Sequence, residues 1–140
     1  MNPYATYRRQ EQAAGITRID LVLALYDKAL ERLTRAEKSL AVGDAPAAVG
    51  QLAKVQLTIG ELASGVRLEA NEEMGTNLLR LYEFVANELR TPRAEGIRNA
   101  RKVLTTLREG FEGVREAANA FERSGQVRPT AGSQMVLATA

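Results

Sequence analysis

Cysteine, histidine and tryptophan are all missing from these 140 residues, and much enzyme chemistry goes with them. Without histidine or cysteine there is no ordinary zinc site, no Ser-His-Asp or Cys-His nucleophile, no Glu-x-x-His di-iron bundle and no phosphoacceptor histidine. Disulfides are excluded, which suits a reducing compartment. Aromatics make up only 5% of the chain and there are 4 prolines, a composition that favours helix over sheet. The N-terminal stretch 1–12 is polar and has no long apolar run, so it reads as neither signal peptide nor membrane anchor, and a cytoplasmic protein is expected. The isoelectric point near 9.1 looks basic, yet the formal charge is only +2, and Arg alternates with Glu along the chain. That alternation marks solvated helix faces, not a nucleic-acid surface. Carboxylates such as Glu61, Glu83 and Glu88 fit the same description, and no convergent acid–base pair or phosphate-cradling glycine loop accompanies them. No enzyme and no cofactor are expected.

What is present is helical periodicity. Thr17 and Asp20 have the spacing of a capping box, so a helix is expected from Thr17. Ile19, Leu23, Tyr26, Leu30, Leu33 and Leu40 then recur at steps of three and four, broken once by Glu37, until Gly43 offers a left-handed stop. Asp44 can cap the second helix, with Pro46 in its first turn. Its seam is Val49, Leu52, Gln56, Ile59, Ala63 and Val66, with Gln56 the polar member. Gly60 and Gly65 are placed inside this helix, where each disfavours it by roughly 1 kcal/mol relative to Ala. They serve either close helix approach or a locally looser segment.

A charged connection around Glu69 to Glu73 leads to a third helix carrying Met74, Leu78, Leu81, Tyr82, Val85 and Leu89. Thr91-Pro92 reads as the start of a fourth, with Thr91 as cap and Pro92 at the first position. Ile97, Ala100, Leu104, Leu107, Phe111, Val114, Ala118 and Phe121 form its unbroken seam, ending near Ser124-Gly125. Four helices with short connections predict an all-α, antiparallel up-down-up-down four-helix bundle with crossing angles of roughly 20°. The expected organisation is a cap segment over 1–16, the bundle over 17–123 and a flexible tail over 124–140.

The helices hold more apolar surface than one seam each. Leu21, Leu25 and Ala29 form a second row on helix 1, Val55 and Leu62 flank the seam of helix 2, and Leu78, Leu79, Leu81, Tyr82, Phe84 and Val85 leave helix 3 little polar face. A helix touching two neighbours needs a broad arc, whereas an exposed strip would make a groove for an amphipathic partner helix. Periodicity leaves both readings open. Tyr4 and Tyr7, ahead of the bundle, fit either a removable lid over such a groove or a permanent latch. Met135-Val136-Leu137 is a short apolar island in the tail, read first as having no specific role and otherwise as a transient occupant of a groove.

Several of these stretches, in order, resemble the FliS family of flagellar secretion chaperones from Asn2 to Ala118. Asn2-Pro3-Tyr4-x-x-Tyr7 resembles the family's N-terminal motif, and Leu21-Val22-x-x-Leu25-Tyr26-Asp27-x-Ala29 its first helix. Ile59-x-Glu61-Leu62 is similar to the second-helix pattern, Asn77-Leu78-x-x-Leu81-Tyr82-x-Phe84 to the third, and Leu107-Arg108-Glu109 to the last. The chain departs from the family at Arg18, where proline is usual, at Lys28, where glycine is common, and at Phe111, where tryptophan is favoured.

The resemblance implies a cytoplasmic chaperone that binds the disordered C-terminal segment of flagellin and prevents premature polymerisation. It also implies delivery to the flagellar type III secretion apparatus, whose components are further candidate partners. Carried over by position, Leu21, Leu25, Tyr26, Ile59, Leu62, Leu78, Leu81 and Tyr82 are candidates for lining or supporting the groove; Tyr26, Ile59 and Tyr82 read first as core. Asn2, Pro3, Tyr4 and Tyr7 are candidates for an N-terminal cap. Nucleic acid and membrane insertion are not expected, and the chain is expected as a monomer or weak homodimer. The alternative is a structural or adaptor bundle that self-associates or binds another amphipathic helix.

Overall fold

The computed structural model describes residues 16–125. The candidate cap residues Asn2, Pro3, Tyr4 and Tyr7 and the Met135-Val136-Leu137 island lie outside the described residues. Four helices follow one another: α1 (Arg18–Ala41), α2 (Ala45–Ser64), α3 (Glu72–Glu88) and α4 (Ala94–Arg123). The fold is the all-α four-helix bundle that the periodicity predicts.

Turn chemistry explains the joints. Gly43 adopts φ +78°, a left-handed conformation that costs glycine little, and so turns the chain out of α1. Asp44 then accepts from the Ala47 N–H at 3.1 Å and starts α2 one residue before Ala45. Asn71 does the same for α3, accepting from the Met74 N–H at 3.0 Å. Glu72 and Glu73 therefore belong to the first turn of α3, where their charge suits the helix dipole, and not to the connection.

Three further boundaries differ from the sequence expectation. Thr17 precedes α1 but makes no side-chain capping bond; the Arg18 N–H donates instead to Glu122 Oε2, at 3.3 Å, from the far end of α4. Gly65 lies past the last residue of α2 as its C-cap, so of the two glycines only Gly60 is interior. The fourth helix begins at Ala94, not at Pro92. Contacts across the turn accompany that start: Arg93 donates to Glu88 Oε2 at 3.2 Å, and Gly96 passes so close to the Glu88 carbonyl that a Cβ there would overlap the oxygen.

In the bundle α1 packs on α2 and α4, α3 packs on α2 and α4, and α1 and α3 are diagonal. Leu21, Val22, Leu25, Ala29, Val55 and Leu62 are all buried. The broad arcs of α1 and α2 are therefore core surface shared between two neighbours. Both polar breaks in the seams have partners on adjacent helices. Glu37 takes a two-pronged ion pair from Arg101, both distances 3.2 Å, and Gln56 donates to the Ala86 carbonyl at 3.3 Å.

The Glu37–Arg101 pair is one rung of a ladder between α1 and α4. Arg108 pairs with Asp27 and Arg115 with Asp20, at 2.5 and 2.6 Å. The three arginines are spaced by heptads and meet α1 in reverse order, which fixes the antiparallel register. These side chains are exposed enough for solvent to screen them, so the pairs set register more than they add stability.

The core is crossed along the diagonal by one polar contact. The hydroxyls of Tyr26 on α1 and Tyr82 on α3 lie 2.6 Å apart in a hydrogen bond, with the two residues 0% and 2% exposed. The Tyr26 ring also packs against Phe111 of α4, centroids 5.5 Å apart, so the residue that replaces the family's usual tryptophan keeps an aromatic contact in the core.

Candidate protein-binding groove

Part of the apolar surplus that the core does not absorb lies on α3. This helix has 17 residues against 30 for α4. Its inward row of Leu78, Tyr82 and Val85 is buried, as is Leu89 just past its end. Gly75 brings its first turn under the α2–α3 connection; a Cβ there would come within 2.9 Å of Leu68 Cδ2 and 3.3 Å of Val66 Cγ1. The outward row is apolar too. Leu81 is 37% exposed, and Phe84, one turn on, is 44% exposed.

Beside that row, α3 and α4 form two adjoining concavities. One, of about 420 Å³, is bounded by Asn71, Glu73, Met74, Asn77, Leu78, Leu81 and Leu107. The other, of about 240 Å³, is bounded by Leu81, Lys102, Val103, Thr106 and Leu107. Leu81 and Leu107 are common to both, so together they make one groove with an apolar floor and polar edges. It carries Glu73 at the N-terminal end of α3 and Lys102 toward the other end. A shallow, open, leucine-lined trough between two helices suits the apolar face of a third helix.

Of the eight candidate groove residues, Leu78 and Leu81 line this trough. Leu21, Leu25, Tyr26, Ile59, Leu62 and Tyr82 are buried in the core. Periodicity overlooked Met74, Val103 and Leu107 as lining residues. In the sequence Leu107 reads as a member of the inward seam, and Val103, four residues before it on the same side of α4, is not singled out.

The perturbed ionisable groups lie away from the residues that bound the groove. Burial pushes the Tyr26 and Tyr82 phenols well above their ordinary range, keeping both neutral. Burial also raises Glu61, opposed by the charge of Lys28. Asp20 is held low, chiefly by its hydrogen bond from Arg115. Among the described residues no cluster of acidic side chains could hold a metal ion, and no helix is long and apolar enough to cross a membrane.

The family model for flagellar protein FliS matches residues 1–118. This chain belongs to the FliS family. The match spans the whole bundle short of the last turn of α4 and reaches into the N-terminal stretch outside the described residues. Searches of curated proteins and of solved structures found no match. FliS-family membership assigns the chain to the flagellar export chaperones.

Proposed function

We propose that this chain is a cytoplasmic export chaperone that binds the C-terminal segment of flagellin, with an amphipathic helix of that segment seated in the α3–α4 groove. The observation that carries the reading is the exposed Leu81 at the junction of the two concavities, in a chain of the FliS family. Leu78, Leu81, Val103 and Leu107 supply the apolar contact, while Leu21, Leu25, Tyr26, Ile59, Leu62 and Tyr82 hold the walls from within. The chaperoning follows from one physical fact. The flagellin segment packs in the filament through the same apolar face that the groove covers, so a bound segment has nothing left with which to polymerise. Because the segment must order as it binds, part of the contact energy is consumed, and the complex stays releasable for hand-over to the type III export apparatus.

The N-terminal residues Asn2, Pro3, Tyr4 and Tyr7 act in this reading as a cap that covers apolar surface until flagellin displaces it. The domain plan is then cap over 1–16, bundle over 17–123 and tail over 124–140.

Isothermal titration of the full chain with a synthetic C-terminal segment of flagellin from the same organism tests the proposal. A 1:1 complex is expected. Leu81→Glu places a charge on the groove floor and forfeits apolar contact worth about 1.5–3 kcal/mol, so affinity falls about ten- to a hundredfold while helicity is unchanged. No binding by the parent chain, or equal binding by the variant, overturns it.

A further inference from the structure

The segment that follows α4 has a path back to the α3–α4 groove. Glu88 at the end of α3 lies beside Arg93 and Gly96 at the head of α4, so the two helices are nearly level there. At the other end α4, of 30 residues, outlasts α3, of 17, by about 20 Å at 1.5 Å per residue. Along α4 the row that carries Val103 and Leu107 continues at steps of three and four as Gly110, Val114, Ala117 and Phe121. Gly110 and Ala117 are exposed, and Val114 and Phe121 are half-buried. No charged side chain interrupts the row, so it joins the groove floor to the last turn of α4 by a track on which a covering segment desolvates no charge.

The chain itself supplies such a segment. Gly125, at φ +75°, donates to the Glu122 carbonyl and turns the chain off the axis of α4. Pro129 opposes a continued helix. Residues 124–140 hold a single charge, Arg128, and one apolar run, Met135-Val136-Leu137. Extended, the chain from Gly125 to Met135 spans up to about 33 Å. Back along the helix, Leu107 lies about 25 Å from Ser124. The apolar run therefore reaches the floor formed by Leu107 and Leu81. The N-terminal segment enters instead at α1, the helix diagonal to α3.

Charge points the same way. Glu73 stands at the end of the groove nearer to Gly125, with Glu72 beside it in the first turn of α3. Neither has an ion-pair partner within 4 Å among the described residues. A chain running back from Gly125 brings Arg128 to this acidic turn before its apolar run comes to the leucines. Tethering adds to the contact. A segment joined to one wall of the groove by about ten residues acts at an effective concentration near the millimolar range, so three apolar side chains too weak to hold a free peptide can hold a joined one.

We propose that Met135-Val136-Leu137 occupies the α3–α4 groove, with Arg128 beside Glu73, so that a ligand of the groove must displace the chain's own tail. The inference concerns the groove before any ligand arrives, and its test uses no flagellin.

Because the sequence has no cysteine, pairs can be placed in the full chain at will. Val136→Cys with Asn77→Cys, an exposed position that bounds the groove, is expected to form an intramolecular disulfide at low micromolar protein. Val136→Cys with Glu112→Cys is the control. Glu112 is exposed too and no farther along α4 from Gly125 than the groove floor, but it bounds a different concavity on the opposite flank of that helix. A tail with no seat in the groove cross-links there as fast or faster. The second readout is the apolar-surface dye 1-anilinonaphthalene-8-sulfonate. M135D/L137D in the full chain is expected to raise its affinity about three- to tenfold by freeing the groove. Adding Leu81→Glu to that variant removes the gain. Cross-linking at Glu112→Cys that equals or exceeds that at Asn77→Cys, disulfides that form only between chains, dye affinity unchanged by M135D/L137D, or a gain that survives Leu81→Glu overturns the proposal.

Discussion

Removing one hydroxyl from the diagonal tyrosine pair should cost more than removing both. Tyr26 and Tyr82 share a 2.6 Å hydrogen bond in a core that leaves them 0% and 2% exposed. Tyr82→Phe changes the volume little but strands the Tyr26 hydroxyl among apolar side chains, and Tyr26→Phe does the same to Tyr82. Each single change costs about 1–3 kcal/mol, the penalty of an unpaired buried hydroxyl. In the double variant neither polar group remains, so the loss should stay within about 1 kcal/mol, leaving a coupling of about −3 kcal/mol when each single change costs about 2. Urea unfolding of all four proteins measures this: midpoints shift while slopes stay constant. Alkaline titration adds a check. Burial holds both phenols above the ordinary value of 10.0, so the folded state keeps its protons while the unfolded chain ionises. Stability is therefore full below pH 10 and declines as the pH rises beyond it. A double variant destabilised by the sum of the single changes, or phenolate absorbance from Tyr26 and Tyr82 before unfolding, would refute the pairing.

Other sites give sharper signs than sizes. Gly96→Ala forces a Cβ against the Glu88 carbonyl, and the overlap, at about 1–3 kcal/mol, should outweigh a gain in helix propensity of about 1 kcal/mol, lowering the thermal midpoint. Gly110→Ala, on the same helix with open space around it, should raise that midpoint instead. Asp20 has a lowered folded pKa, chiefly from its hydrogen bond with Arg115, so its contribution is present above the ordinary aspartate range and is lost as pH falls through the folded value. Asp20→Asn should therefore cost stability near neutrality and flatten the acid limb of a pH–stability curve, an effect that shrinks in high salt.

The helices were legible in the sequence because their seams follow a single period and their ends carry local chemistry. Gly43 and Asp44 stand where that chemistry predicted. Two of the misplaced boundaries involve contacts that lie outside the cap motifs. Glu122, not Thr17, serves the first N–H of α1, and the close passage of Gly96 to Glu88, not a Thr91-Pro92 cap, accompanies the start of α4. No local pattern encodes either. The groove was half legible for a related reason. Periodicity gives the width of an apolar arc but not the number of neighbours it must cover. The rows of Leu21–Leu25 and Val55–Leu62 therefore looked like surplus surface until α1 and α2 were seen to pack on two helices each. Leu81 lay in the same kind of row, and only the third dimension separates it from them. Its partners Val103 and Leu107 come from a different helix.

Seeded polymerisation of flagellin, followed by light scattering, tests the chaperone account most directly. A stoichiometric amount of the parent chain should hold flagellin monomeric, and Leu81→Glu, folded but with a charged groove floor, should let filaments grow. Growth unaffected by the parent chain, or suppressed as fully by the variant, would contradict the assignment of the α3–α4 groove to flagellin.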